Sequence, residues 1–238
     1  MELDQLKLEV GDRAAKEIRD GMVLGLGTGS TAEAFLHALS KRVDDGLNVR
    51  GVPTSQRTAD LCNTLGIPLT DLDRDPVLDL AVDGADEIDP DLNLIKGAGG
   101  ALLREKIVAA AARQMLVIAD ATKYVDRLGA FPLPVEINKF GASATATQVE
   151  RLCARMDWRV DATIRMQTDQ EGRETAPVET DGGHWIVDCK LGMIDNPKAL
   201  DTALLAIPGV VETGLFLGMA DRAFLATGEG VEVLHRHG

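Results

Sequence analysis

Apolar and polar residues alternate along this chain in two rhythms, and the change between them divides it. Leu3, Leu6, Val10, Ala14 and Ile18 recur at helical spacing, which predicts a helix over residues 3–19. Met22–Leu26 is a short apolar run of buried-strand type, and helical spacing returns from Thr31 to Val43. Val49–Val52 predicts a strand, Ser55 an N-cap, and the next helix runs to about Leu65. Leu78–Val82 and Leu92–Ile95 read as strands, followed by an Ala-rich helix over Gly100–Ala112 and the strand Met115–Ala119. Strands alternating with helices of this length predict an α/β fold with a doubly wound, mostly parallel sheet covered on both faces.

After Lys123 the rhythm changes. Phe131-Pro132-Leu133-Pro134 is a stiff joint, and a βαββαβ order follows: strand Val135–Ile137, helix Ser143–Arg155, strands Arg159–Met166 and Trp185–Cys189, helix Pro197–Ala206 and a strand near Val210. That order is the split βαβ, ferredoxin-like α+β unit, expected as a smaller second domain over residues 131–208. Residues 168–183 are polar and turn-rich and read as a long hairpin loop. Ala223–Ala226 and Val231–Leu234, around Gly228-Glu229-Gly230, predict a closing hairpin.

Composition narrows the function. The chain has 238 residues, 45% of them apolar and only 3% aromatic, so its core is aliphatic. A net charge of −13 repels nucleic acid and anionic lipid, which argues against either as a partner. It also repels a phosphorylated substrate, so a phosphate site has to be built from locally aimed donors. The charged, amphipathic start lacks a signal-type apolar run, and no stretch reaches the ~18 apolar residues of a membrane span. Cys62, Cys153 and Cys189 stand far apart in no paired motif and read as reduced, buried thiols, with the cytoplasm the expected compartment. His37, His184, His235 and His237 show no metal spacing, and the last two read as surface residues.

Three loops carry the candidate chemistry. Gly25-Leu26-Gly27-Thr28-Gly29-Ser30-Thr31-Ala32 lies between a strand and a helix, where free N–H groups and the hydroxyls of Thr28, Ser30 and Thr31 form an anion site. Gly27–Ala32 fits a dinucleotide fingerprint, but the next strand ends Val52-Pro53-Thr54 without the acid that fingerprint needs, and no Gly-Lys-Ser/Thr follows for a nucleotide P-loop. A single phosphate is the better reading. Asp83-Gly84-Ala85-Asp86-Glu87 and Lys96-Gly97-Ala98-Gly99-Gly100 sit at the ends of successive strands, where α/β sheets bind ligands. Glu105 lies in the first turns of the Ala-rich helix, sharing a face with Ala101, Val108 and Ala109. That helix is apolar nearly all round and reads as buried on several sides. Desolvation there raises a carboxyl pKa, as a general base working near neutral pH requires.

Taken together, these segments resemble the ribose-5-phosphate isomerase A family. Val82–Glu87, Ile95-Lys96-Gly97, Arg104–Ile107, Ile118–Lys123, Phe131–Glu136 and Ile207–Phe216 join the first glycine loop in family order and span nearly the whole chain. The resemblance implies an enzyme that interconverts D-ribose 5-phosphate and D-ribulose 5-phosphate through an enediolate, in the pentose phosphate pathway. It implies Glu105 as the base, Asp83 assisting ring opening, and Asp86 and Lys96 holding sugar hydroxyls and the enediolate. The implied substrate-binding set is Lys7, Thr28, Gly29, Ser30, Thr31, Asp83, Gly84, Ala85, Asp86, Lys96, Gly97, Ala98, Gly99 and Lys123. No cofactor or metal is implied, a homodimer or homotetramer is, and residues 209–238 are expected to rejoin residues 1–130 in the catalytic domain. Ala98 stands where many members have glycine, and Thr122 replaces a frequent Ser. Rival readings are a sugar-phosphate deaminase, a CoA transferase or a sensor domain. A regulator carrying such a sensor needs a basic helix-turn-helix, and none is visible.

Overall fold

The structure, a computed structural model, describes residues 3–156, 158 and 160–236. Chain order runs α1 (Leu3–Ala15), β1 (Val23–Leu26), α2 (Ser30–Asp44), β2 (Arg50–Pro53), α3 (Gln56–Thr64), β3 (Leu80–Asp83), β4 (Glu87–Ile88), β5 (Leu94–Ile95), α4 (Leu102–Ala111) and β6 (Met115–Asp120). A single 3₁₀ turn (Ala121–Lys123) follows, then β7 (Leu133–Ile137), α5 (Ala142–Arg155), β8 (Asp161–Ile164), β9 (Met166–Thr168), β10 (Glu174–Pro177), β11 (Trp185–Lys190) and α6 (Pro197–Leu205). The chain ends with β12 (Val210–Thr213), β13 (Leu215–Phe216), β14 (Arg222–Thr227) and β15 (Gly230–His235).

The main sheet has the order β15-β14-β6-β3-β1-β2. Every pairing in it is parallel except the β14–β15 hairpin at one edge. Its central strands alternate between two cores, which is why they read as unbroken apolar runs. Leu116 and Ile118 of β6, with Leu80 and Val82 of β3, face Val10 and Ala14 of α1 and Phe35 and Leu39 of α2. Met115, Val117 and Ala119 face the other way, onto Leu94, Ala109 and Phe216. The same alternation turns Asp83 away from the α1–α2 layer, toward the α4 side.

The second sheet is antiparallel, in the order β12-β7-β11-β8, with α5 and α6 packed on it. This is the predicted ferredoxin-like order. Its fourth strand, β12, is the strand expected near Val210, and it lies just past residue 208. The predicted strand over 159–166 is two strands, β8 and β9, broken at Arg165; Arg159 and His237 lie outside the described residues, as do Met1 and Glu2. The 168–183 loop holds β10, which pairs back antiparallel on β9, the strand that leads into the loop. The first helix ends at Ala15 rather than residue 19, since Ile18 packs into the core from the turn that follows. The Leu92–Ile95 strand shortens to β5, which sits between β4 and β13 in a three-stranded sheet, and Leu92 takes positive φ (57°) in the turn before it. Nor is α4 buried all round. Leu102, Glu105, Val108 and Ala109 form its buried face while Ile107 is 49% exposed, because the helix rests on the protein along one side.

Candidate active site

Parallel strands end on the same side, so the loops after β1, β3 and β6 converge at one edge of the main sheet, joined by the loop between β5 and α4. They surround a cavity of about 320 Å³. Of the predicted residues, Lys7, Thr28, Gly29, Ser30, Thr31, Gly84, Ala85, Asp86, Lys96, Gly97, Ala98, Gly99, Glu105 and Lys123 line it. Asp83 does not; it sits one layer behind the wall, reached through Lys96. The sequence reading missed two lining residues, Leu3 and Asp120.

The centre is a buried ionic triad. Lys96 Nζ lies 3.2 Å from Asp83 Oδ2 and 3.2 Å from Glu105 Oε1, and donates to the Gly84 carbonyl at 2.5 Å. All three side chains are almost fully covered, at 2–5% residue exposure. Asp83 is held from behind: its Oδ1 accepts the Thr28 N–H at 3.1 Å and the Gly84 N–H at 2.8 Å. The β1 loop has to pass against this carboxylate, and a Cβ at Gly27 would stand 2.2 Å from Asp83 Oδ1, so glycine is required there. Asp86 closes the loop by accepting the Ala98 N–H at 2.9 Å. Gly97 adopts φ of 117°, in the left-handed region that favours glycine, where the chain turns from β5 toward α4.

Two carboxylates share one ammonium here, and the charge balance shows in their proton affinities. Burial, together with the negative charge of Asp83, pushes the Glu105 carboxyl up to about 8, against the pull of Lys96. Burial also raises Asp83. For Lys96, burial works downward, but the charges of Asp83, Glu105 and Asp86 outweigh it and the ammonium is held above its ordinary value. Glu105 Oε1 is bound to Lys96, whereas Oε2 is buried without a hydrogen-bond partner. A carboxylate oxygen that is desolvated and free, beside a fixed cation, can accept a proton from carbon.

The other end of the cavity is an anion site. Gly29, the residue before α2, has φ of 105° and puts no side chain over the helix start, which leaves the first-turn N–H groups uncapped. Lys7 and Lys123 bring two ammonium groups to the same cavity. Thr28 departs from expectation. Its N–H is engaged by Asp83, and its hydroxyl joins those of Thr54, Ser55 and Thr58 at 2.7, 2.8 and 3.0 Å. Its part is therefore mainly to fix the loop, leaving Ser30 and Thr31 as the freer hydroxyls. Ser55 caps α3 as predicted, accepting the Thr58 N–H at 3.1 Å. Asp120 is 3% exposed, and its Oδ1 caps the 3₁₀ turn that carries Lys123 by accepting the Thr122 N–H at 3.0 Å. Among the described residues no cluster of three or more His, Cys, Asp or Glu side chains is arranged to hold a metal, and no helix is long and apolar enough to cross a membrane.

Comparison with known proteins adds an independent line. The sequence profile of ribose 5-phosphate isomerase A (phosphoriboisomerase A) matches residues 50–230. The ribose-5-phosphate isomerase A of Bradyrhizobium diazoefficiens is 54% identical over 238 residues, covering 99% of this chain and 98% of that protein. That of Sinorhizobium fredii is 51% identical over 234 residues, covering 98% and 99%. Among solved structures, a D-ribose-5-phosphate isomerase in complex with phospho-erythronic acid superposes with a TM-score of 0.91 at 38% identity, covering 99% of this chain and all (100%) of that one. The ribose 5-phosphate isomerase A of Methanocaldococcus jannaschii superposes at 0.88 with 39% identity, covering 98% and 100%.

Proposed function

Because this chain belongs to the ribose 5-phosphate isomerase A family and interconverts ribose 5-phosphate and ribulose 5-phosphate, we propose that Glu105 is the general base of that reaction and Lys96 the cation that steadies its intermediate. The observation that carries the assignment is the buried, unpartnered Oε2 of Glu105, a residue that lines the cavity. In the open-chain aldose, Oε2 takes the hydrogen from C2, and the electron pair becomes the C1–C2 double bond of an enediolate whose negative charge rests on O1. A proton passes from the O2 hydroxyl to O1, and Glu105 returns its own proton to C1 to complete the ketose. Lys96 stands beside Oε1 on the same wall, where its ammonium offsets the oxyanion in a site shielded from water. No redox change is needed, because the two carbons exchange oxidation levels.

The remaining assignments follow the chemistry of each wall. Ser30, Thr31 and the uncapped N–H groups of α2, with Lys7 and Lys123, hold the phosphate dianion. Asp86 Oδ2 is engaged by the Ala98 N–H, and its other oxygen is available to a sugar hydroxyl. Backbone groups of Gly84, Ala85 and 97–99 complete the sugar grip. Ring opening by Asp83 requires Lys96 to move toward the substrate and release Oδ2, since both Asp83 oxygens are otherwise engaged. We extend the proposal to a catalytic domain of residues 1–130 and 214–238 with a small domain of 131–213, and to a cytoplasmic homodimer or homotetramer, with Phe140 (93% exposed) among the apolar surface that association would cover. In deuterated water, ribose 5-phosphate recovered after turnover should carry deuterium at C2, and Glu105→Gln should lose both turnover and exchange. A folded Glu105→Gln that still exchanges would remove Glu105 from the mechanism.

A further inference from the structure

Arg165 reaches the site from the other sheet. It sits in the one-residue break between β8 and β9, and its backbone is fixed on both sides: its N–H donates to the Ile186 carbonyl and its carbonyl accepts the Val178 N–H, both at 2.8 Å. The guanidinium is clamped bidentately on Asp188 of β11, Nε to Oδ2 at 2.8 Å and Nη2 to Oδ1 at 2.5 Å. Its remaining arm, Nη1, donates to the carbonyls of Gly97 at 2.8 Å and Ala98 at 3.0 Å. Those are two successive peptides of the loop that carries Lys96 and lines the cavity.

In a planar trans peptide the N–H points opposite the C=O, and the described chain has no cis bond. Holding both carbonyls on Arg165 therefore aims both N–H groups away from it. The Ala98 N–H meets Asp86 Oδ2 at 2.9 Å. The Gly99 N–H belongs to a residue on the cavity wall, opposite Thr28. Asp188 offsets the charge of Arg165, so what reaches the site is orientation rather than net field.

We propose that Arg165, seated on Asp188, is a positioning residue for the isomerase reaction: it locks the 97–99 peptides so that their N–H groups present Asp86 and the sugar end of the cavity in the reactive arrangement. The inference rests on the reading that this loop grips the sugar oxygens, and that reading fails separately if Lys96→Met leaves turnover intact. Arg165→Met should lower kcat/KM by about 10–100-fold, the scale on which small misplacements act. Inhibition by phospho-erythronic acid, which carries a carboxylate at the sugar end, should weaken by a similar factor. Inhibition by inorganic phosphate, which probes only the α2 end, should be unchanged, and so should the pH at which kcat/KM levels off. Arg165→Lys keeps the charge but cannot serve Asp188 and two carbonyls together, so it should not restore activity. If Arg165→Met unfolds the protein, Asp188→Asn, which loosens the seat of the guanidinium, should show the same selective pattern at smaller size. Unchanged kcat/KM in a folded variant, full rescue by lysine, or equal weakening of both inhibitors would overturn the proposal.

Discussion

Two buried glutamates, one beside each sheet, share nearly every local feature and still differ in chemistry. Glu105 on α4 is 5% exposed and Glu136 on β7 is 1% exposed. Each has Oε1 hydrogen-bonded and Oε2 buried without a partner. Glu136 Oε1 accepts from the Thr180 hydroxyl at 2.8 Å and sits 2.9 Å from His184 Nδ1, contacts that fasten β7 to the 178–184 turn. Glu105 has a lysine, but it must share that lysine with Asp83, and Glu105 lines the cavity whereas Glu136 does not. Burial alone therefore does not make a base. A second carboxylate competing for the same cation, and a place in the cavity lining, separate the reactive group from the structural one.

The contrast is sharpest in turnover. Glu105→Gln keeps volume but cannot take a proton, and loss of a general base typically costs roughly 10²–10⁴ in rate, about 3–5 kcal/mol of barrier. The loss should appear in kcat; a rise in KM alone would mean that Glu105 only grips substrate. Stability should move in the opposite direction. The folded protein holds the Glu105 proton up to about 8, whereas an unfolded glutamate releases it near 4.5. The folded state thus binds more protons across that window, so the contribution of this group to stability is full below about pH 4.5, falls as pH rises toward 8, and is flat above. Glu105→Gln removes that penalty and leaves Lys96 with Asp83 alone. Above pH 8 the variant should exceed the parent by on the order of a few kcal/mol in denaturant titrations. A variant less stable than its parent at pH 9 would show that the Lys96–Glu105 attachment outweighs the charge imbalance.

The same titration sets a milder effect on the parent enzyme. A base must be deprotonated in the free protein, so kcat/KM should rise through about pH 8 and at pH 7 lie about tenfold below its plateau. The second ionisation of a phosphate ester falls near pH 6, so the two limbs can be separated. A limb with its midpoint near pH 6, level by about pH 7, would show that substrate, not Glu105, governs it.

How much of this was legible in the chain depends on distance along it. The loop residues at strand ends could be picked out because glycines and carboxylates at a parallel strand's C-terminal edge leave a local pattern, as Asp83 and Asp86 did. Asp120 carries the same signal at the end of β6 and was passed over. Leu3 is a first-turn apolar residue that nothing local marks. The partners of each group were hidden. Its neighbours on the helix face, Ala101, Val108 and Ala109, offer Glu105 no side-chain hydrogen bond, yet Lys96 holds one of its oxygens from another element. The hydroxyl of Thr28 meets Thr54, Ser55 and Thr58 only once β1 and α3 are packed side by side. Two-residue strands such as β4, β5 and β13 are too short to carry a period and exist through their pairing. The reach of Arg165 to residue 97 likewise belongs to tertiary structure.

Glu136→Gln gives the smallest effect and the cleanest separation of the two glutamates. The amide can keep its oxygen toward Thr180 and His184 and place its NH₂ where Oε2 now lies. What is lost is the charge that strengthens those bonds, and charge-assisted hydrogen bonds are roughly twice as strong as neutral ones. The expected cost is about 1 kcal/mol, a fall of about 2–4 °C in Tm for a chain of this size. Turnover should stay within about twofold of the parent, since no atom of Glu136 lines the cavity. Thermal unfolding and kcat measured on one preparation decide the matter. If Glu136→Gln stabilised the protein as Glu105→Gln is expected to, Glu136 would be under-neutralised too, and the competing carboxylate would not be what distinguishes the pair. If it lowered kcat a hundredfold with only a small change in Tm, the 178–184 turn would be passing orientation to α4 through Asp181 and Arg104, 3.3 Å apart, and the line between the reactive and the structural sheet would have to be redrawn.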